Sequence, residues 1–374
     1  MSSAEHTSDI DYDVHGLARV RLVDAAPHDA AAVRRQLGPL EAEVVGRPDL
    51  TIRFVDATRS RARLRLIGKD EAGFTDDGFF VLRSKHKAKA RVQIPIADVG
   101  GRCEIVCERG LPAVPFLIPI LNLTILGNGA LPLHASAFCT DDTGVVTTGW
   151  SKGGKTEALL AFMSHGATYI GDEWTYVSSD GARVHGIPEP IRVWDWHLEH
   201  APTYRDRIGA ASRARLCSLA VAGALPAAVP PSARGGRTGR VLTRLGAVID
   251  AQRHVDVAPE DLFGARLGPL TGRFDRLFLM VTVDEPGTTV VAVDPEQVAD
   301  RMAFSLQHER LDFMACYYRF RYAFPDAPNK LLEESHDVER ALLRRVFAGK
   351  AAFTVEHPSP LPLDDLYRAM SPHC

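Results

Sequence analysis

The sequence has no C-x-x-C pair, no long uninterrupted apolar run and little excess of either charge. Its six cysteines, Cys103, Cys107, Cys139, Cys217, Cys316 and Cys374, are scattered along 374 residues. In a chain of that length they read as free thiols of a reducing compartment, not as a disulfide scaffold. Cys103 and Cys107 have no matching His or Cys pair nearby, which argues against a zinc centre. The formal net charge is -3, so no global field draws the chain to nucleic acid. The most apolar stretch, residues 111–126, contains Pro112, Pro115 and Pro119 and is short for a bilayer span. It is expected to pack as a core helix, and no membrane partner is expected. Residues 1–12 are polar and acidic and lack the basic-then-apolar order of a signal peptide. These absences together predict a cytoplasmic protein.

What is present reads as a globular chain, 45% hydrophobic and 24% charged. Its length accommodates two domains of roughly 150 residues each. Residues 1–13 are expected to form a disordered tail. Residues 14–125 read as a β-rich domain with one or two helices, and residues 126–374 as a second domain ending in helices. Arg59, Arg61, Arg63 and Arg65 alternate, as do Arg83, Lys85, Lys87, Lys89 and Arg91. On strands each set lines one face: a solvated surface, or a docking face for an acidic partner or a sister subunit in a homo-oligomer.

One stretch carries chemistry directly. Gly149-Trp150-Ser151-Lys152-Gly153-Gly154-Lys155-Thr156 fits the phosphate-loop pattern G-x-x-x-x-G-K-[ST]. Before it, residues 144–148 form a β-branched run expected to be a buried strand. After it, residues 157–164 are good helix formers with an apolar stripe, and His165-Gly166 reads as a stop. Strand, glycine loop and helix are what phosphate binding requires. Backbone N–H groups turn inward, and the helix N-terminus adds partial positive charge. Lys155 is then expected at the β- and γ-phosphates and Thr156 on Mg²⁺, which makes ATP and Mg²⁺ the expected ligands.

Two flanking segments complete the pattern. His134 lies in the apolar strand Leu131–Phe138, which a turn at Asp141-Asp142 returns beside the loop. It is either a satisfied core histidine or a catalytic or metal-linked one. After the loop helix, a short strand at residues 167–170 ends in Gly171-Asp172-Glu173-Trp174. Acidic residues at that strand end are where a Mg²⁺-binding or base carboxylate belongs. Further on, Arg192, Asp195 and His197 alternate with Trp194 and Trp196, as pocket lining or as packing. Arg234, Arg237 and Arg240 lie in a Gly/Pro-rich loop that reads as a phosphate lid or as plain surface.

Taken together, Leu133-His134-Ala135-Ser136-Ala137, Thr148 to Glu157 and Gly166 to Glu173 resemble the catalytic core of the HPr kinase/phosphorylase-like family, relatives of phosphoenolpyruvate carboxykinase. About 60 residues carry the resemblance; the C-terminal third matches only in outline. It implies an α/β fold with a P-loop-containing mixed-sheet kinase core of the HPr kinase C-terminal type, preceded by a smaller β-rich α+β domain. It implies a kinase with Asp172 acting on the acceptor hydroxyl proton, Glu173 and Thr156 linked to the metal with Asp172, and His134 supporting them. Glu157 extends the binding loop. The sequence departs from the pattern at Glu173, a methylene longer than the usual second aspartate, and at Lys152, where many members have glycine. The signature that contacts HPr is not evident, so another hydroxyl, of a peptide or protein serine or a small molecule, is the expected acceptor.

A GTPase is disfavoured because Asn329-Lys330 is followed by Leu331-Leu332 and lacks the aspartate of the guanine-reading motif. The competing readings are a nucleotide-binding regulatory module and an ATPase without a phosphoacceptor.

Overall fold

The computed structural model describes residues 9–38, 40–43, 45–58, 63–67, 72–81, 92–227, 249 and 252–374. The chain is mixed α/β, with two large sheets and helices packed on them. The first sheet uses β1 (Ile10–Val14), β2 (Ala18–Val23), β3 (Leu50–Val55), β4 (Arg65–Leu66), β5 (Ala72–Thr75), β6 (Gly78–Val81), β7 (Val92–Pro95) and β8 (Cys103–Glu108), in the order β1-β2-β3-β8-β7-β6-β5-β4. α1 (Pro27–Leu37) makes the crossover between the parallel strands β2 and β3, as a parallel pair requires. The expected tail is corrected over residues 10–13, while residues 1–8 lie outside the described residues. Ile10–Val14 pairs antiparallel with β2, and Tyr12 and Val14 are fully buried. Alternation of Ile10, Tyr12 and Val14 with acids gives the segment one apolar face, which outweighs its charged composition.

α2 (Leu117–Gly127) is the apolar stretch, beginning after Pro115 and later than its composition suggested. It is buried on nearly every side. It shares a core with the first sheet and with Phe313, Tyr317 and Phe320 of α8 (Leu311–Ala323). Among the described residues, no helix is long and apolar enough to cross a membrane.

The second sheet positions the site. Its strands are β9 (Leu131–Thr140), β10 (Thr143–Gly149), β11 (Thr168–Gly171), β12 (Trp174–Val177), β13 (Arg183–Gly186), β16 (Thr271–Arg273), β17 (Arg276–Thr282), β18 (Thr289–Ala292) and β19 (Ala351–His357). The order is β16-β13-β12-β9-β10-β17-β19-β18, with β11 also paired to β9. β10, β17 and β19 run parallel, and β9 is antiparallel to β10. Period-two alternation sorts the side chains between two faces. Phe138, Val145, Phe278 and Val355 pack with Leu159, Leu160 and Phe162 of α3 (Lys155–Ser164). Ala135, Ala137, Val146, Leu277 and Leu279 pack with α7 (Pro295–Glu309) and α9 (Lys330–Phe347). Each large apolar side chain so buried contributes ~1.5–3 kcal/mol. Asp294 caps α7 through the Glu296 N–H, and Asn329 caps α9 through the Leu332 N–H.

A separate two-stranded ribbon joins β14 (Ile191–Trp194) to β15 (His254–Val257), with α4 (Asp195–His200) and α5 (Ala210–Ala227) between them in sequence. A 3-10 turn spans Pro202–Arg207 and α5 begins after Gly209. α6 (Pro259–Phe263) and α10 (Leu363–Met370) complete the helices named here. Of the alternating basic residues, Arg63 and Arg65 are described, and Arg65 lies 4.3 Å above the Phe324 ring. Arg59, Arg61, Arg83, Lys85, Lys87, Lys89 and Arg91 and the Arg234–Arg240 loop lie outside the described residues.

Candidate active site

The glycine loop leaves β10 at Gly149 and enters α3 at Lys155, so strand, loop and helix succeed one another as phosphate binding needs. The loop is held closed from within. The Trp150 carbonyl accepts the Gly153 N–H at 3.1 Å and the Lys155 ammonium at 3.0 Å. Gly154 has φ +96°, and a Cβ there would lie 2.5 Å from His357 Nε2. That nitrogen sits 3.0 Å from the Gly153 carbonyl and donates to it. The last residue of β19 thereby fixes the loop. Lys152 adopts φ +60°, a strained conformation for a side-chain-bearing residue, and is exposed. Ser151 is partly buried and Gly153 is buried.

Asp172 and Glu173 link β11 to β12. The Trp174 N–H donates to the Asp172 carbonyl at 2.8 Å across Glu173, whose φ is +63°. This is a tight positive-φ turn, a rare and strained form. It divides the two acids. Asp172 is buried, and its carboxylate accepts from Ser136 Oγ and, at 3.0 Å, from Thr156 Oγ1. Glu173 is half exposed and takes His134 Nε2 at 2.9 Å. His134 and Ser136 are two residues apart on β9, so they project from the same side and meet the two acids separately.

His134 has a second acidic neighbour. Glu309, at the end of α7, brings Oε1 to 2.9 Å from His134 Nδ1. This is an ion-pair approach without hydrogen-bond alignment. The ring also stacks on Trp174, with centroids 5.6 Å apart. Burial disfavours the charged imidazole, but Glu173 and Glu309 overcome it and the His134 pKa is raised. The Glu173 carboxyl is held below its ordinary range by the hydrogen bond from His134. Asp172 moves the other way. Burial, then the neighbouring Glu173 charge, push it up to about 6, against the pull of Ser136 and Thr156. Burial lowers the Lys155 pKa although Glu173, Asp172, Glu309 and Glu157 surround it with negative charge.

Glu189 feels the charge of this group. Burial and the charges of Glu173 and Asp172 lift its carboxyl to about 8. Glu157 is engaged elsewhere, 3.2 Å from His197 Nε2. Arg192 pairs with Asp256 at 3.1 Å across the ribbon, and Trp194 packs on His254. Those aromatic and charged residues therefore build the ribbon and brace the loop helix.

His134, Lys155, Thr156, Asp172 and Glu173 thus converge, while Glu157 faces His197. Ser136, Glu189 and Glu309 were not singled out from the sequence. Ser136 had a signal, because it lies two residues from His134 on one strand. Glu309 reaches the site only through a tertiary contact, and Glu189 is linked to it through charge. Among the described residues, no group of three or more His, Cys, Asp or Glu side chains is placed to hold a metal ion on its own. Thr156 and Asp172 nonetheless supply hard oxygen donors, which suits Mg²⁺ shared with phosphates and water. A comparison with protein-family models and with curated proteins finds no match to this chain.

Proposed function

We propose that this chain is an ATP- and Mg²⁺-dependent kinase with a P-loop core of the HPr kinase-like type. It transfers the γ-phosphoryl group to the hydroxyl of a peptide or protein serine or of a small-molecule alcohol, in the cytoplasm. The observation that carries this reading is the buried Asp172 carboxylate, 3.0 Å from the first-turn hydroxyl of the loop helix and with its pKa lifted to about 6. A carboxylate with those properties is suited to accept a hydroxyl proton near neutral pH. The resemblance carried by His134, the loop and the Asp172-Glu173 turn agrees with it.

In this reading the loop N–H groups and the α3 N-terminus hold the β- and γ-phosphates. Lys155 exchanges the Trp150 carbonyl for phosphate oxygens. Thr156 Oγ1 and Asp172 would hold Mg²⁺, which when bound neutralises phosphate charge. Asp172 takes the proton from the acceptor as its oxygen attacks phosphorus in line. Glu173, paired to His134, keeps its charge beside Asp172 and sustains the basicity of that carboxylate. Catalysis is positioning and charge compensation, as phosphoryl transfer requires.

The test is a screen of serine peptides and alcohols with γ-labelled ATP. Label entering an acceptor, with ADP release that depends on that acceptor, supports the kinase. ADP release at the same rate without any acceptor would make the chain an ATPase. Binding without turnover would make it a regulatory module.

A further inference from the structure

A cleft of about 580 Å³ opens beside the glycine loop and is not used by the chemistry above. Its walls include Trp150, Met280, Val281, Arg301, Phe304 and Ser305. Three observations define it. First, it lies on the β17 side of β10, whereas β9 and the turn between β11 and β12 carry His134, Asp172 and Glu173 on the other side. Second, the loop is itself one wall of the cleft, from Gly149 to Gly153, and Ser305 Oγ donates to the Gly149 carbonyl at 3.3 Å, which ties α7 to the loop. Third, the cleft carries two aromatic rings that a folded chain would ordinarily cover, Trp150 at 52% exposure and Phe304 at 58%. His308 stacks on Trp150 with ring centroids 4.7 Å apart and holds the indole plane.

We infer that this cleft is the nucleobase subsite of the donor, with Trp150 as its stacking surface. The inference rests on the reading of the loop as the donor-phosphate site and adds where the nucleoside goes. A triphosphate whose γ-phosphate meets Asp172 must leave the loop in the opposite direction, toward β17. The cleft begins there and is continuous with the loop. Its mainly apolar lining and its volume suit one flat heteroaromatic ring with its sugar, within the usual range for small-molecule sites. Exposed Arg301 stands at the same wall, where a ribose or α-phosphate oxygen would pass. An acceptor is the competing occupant, but it has to reach Asp172 on the far side of the loop.

The experiment compares two probes that share phosphates and differ in the base: Mg·ATP and Mg·tripolyphosphate, measured by calorimetry and by thermal shift. Base–aromatic stacking is worth about 1–3 kcal/mol, so Trp150→Ala should weaken ATP roughly 5- to 150-fold. It should leave tripolyphosphate within about twofold, since stacking supplies none of its affinity. Trp150→Phe keeps a ring and should recover most of the ATP affinity, which separates stacking from damage to the loop. Phe304→Ala should show the same selectivity from the opposite wall. Unchanged ATP affinity in Trp150→Ala, or equal loss for both probes, would overturn the subsite while leaving the loop as a phosphate site. Failure of wild type to bind either probe would overturn the donor reading and the subsite with it.

Discussion

Thr156 Oγ1 lies 3.0 Å from Asp172 Oδ2 and 3.3 Å from Oδ1, and this contact joins the first turn of the loop helix to the strand-end acid. With Ser136 on Oδ1, both carboxylate oxygens are occupied by hydroxyl donors. The buried charge is thereby partly satisfied, and Asp172 is fixed against the first turn of the loop helix. The hydroxyls lower its pKa, but burial and Glu173 raise it more.

Asp172 should separate binding from chemistry. Asp172→Asn keeps shape and hydrogen-bonding capacity but cannot take a proton. Loss of a general base costs on the order of 10²–10⁴ in rate. Transfer to a verified acceptor should fall by that much, while affinity for Mg-free ATP, which the loop alone holds, stays within a few-fold. In the wild type, kcat/KM should decline as pH falls through about 6, because the carboxyl is then protonated. Near-full transfer by Asp172→Asn would shift the role to Glu173.

The same group makes a stability prediction of opposite sense to that of an acid held low by an ion pair. Its carboxyl is raised from 3.8 to about 6 on folding. Its contribution is therefore fully present below 3.8 and lost as pH rises through about 6. Asp172→Asn should raise the Tm at pH 8 relative to wild type, with the gain vanishing toward pH 4. A gain of equal size at both pH values would assign it to packing rather than to charge.

Lys155 should carry nucleotide affinity. Wild type at 100 times Kd of Mg·ATP should gain about 2.7 kcal/mol of stability by mass action. Lys155→Ala, measured at the same concentration, should lose most of that gain. Without ligand it removes a buried ammonium that, among the described residues, meets only the Trp150 carbonyl by hydrogen bond, so the apo protein should stay folded. Equal stabilisation of the two proteins would separate the loop from nucleotide binding.

How much of this could be read from the chain depends on the range of each interaction. The loop was legible because its glycines, the β-branched run before it and the helix formers after it act locally. The acidic turn was legible from its place at a strand end. Its division was not: Asp172 and Glu173 look equivalent in sequence, and only the positive φ at Glu173 sends one to Ser136 and Thr156 and the other to His134. Glu309 and Glu189 gave no local sign, because α7 and the segment before β14 reach the site through tertiary packing. β18 was not anticipated either. Its residues are largely exposed at a sheet edge, so its sequence shows little burial pattern. The strand at Ile10–Val14 shows the converse error, where charge composition obscured an alternating face.

Gly154 is the local test of the loop itself. Its φ of +96° suits glycine, and a Cβ would meet His357 Nε2 at 2.5 Å. Gly154→Ala should cost on the order of 1–3 kcal/mol from backbone strain alone, with loss of nucleotide binding beyond that caused by instability. His357→Ala removes the steric obstacle but also the donor to Gly153. The double variant should therefore recover less than full binding. Wild-type affinity and Tm in Gly154→Ala would mean the backbone turn is not required.

The last prediction concerns His134 and its two carboxylates. Burial alone would keep this imidazole neutral, yet Glu173 and Glu309 raise its pKa above the ordinary 6.5. A histidine raised on folding contributes stability that is fully present below 6.5 and lost as pH rises through its folded value. Glu309→Gln removes one of the two raising charges without removing the Glu173 hydrogen bond. The His134 resonance in an NMR titration should then move to a lower midpoint. The extra stability of wild type over the variant should be largest between the ordinary carboxyl range and 6.5 and shrink as pH rises past the wild-type midpoint. Transfer should fall more in His134→Ala than in Glu309→Gln, since the first frees Glu173 and the second leaves its partner in place. An unchanged His134 midpoint in Glu309→Gln would show that Glu173 alone sets the charge. The α7 terminus would then have no electrostatic hold on the acidic turn.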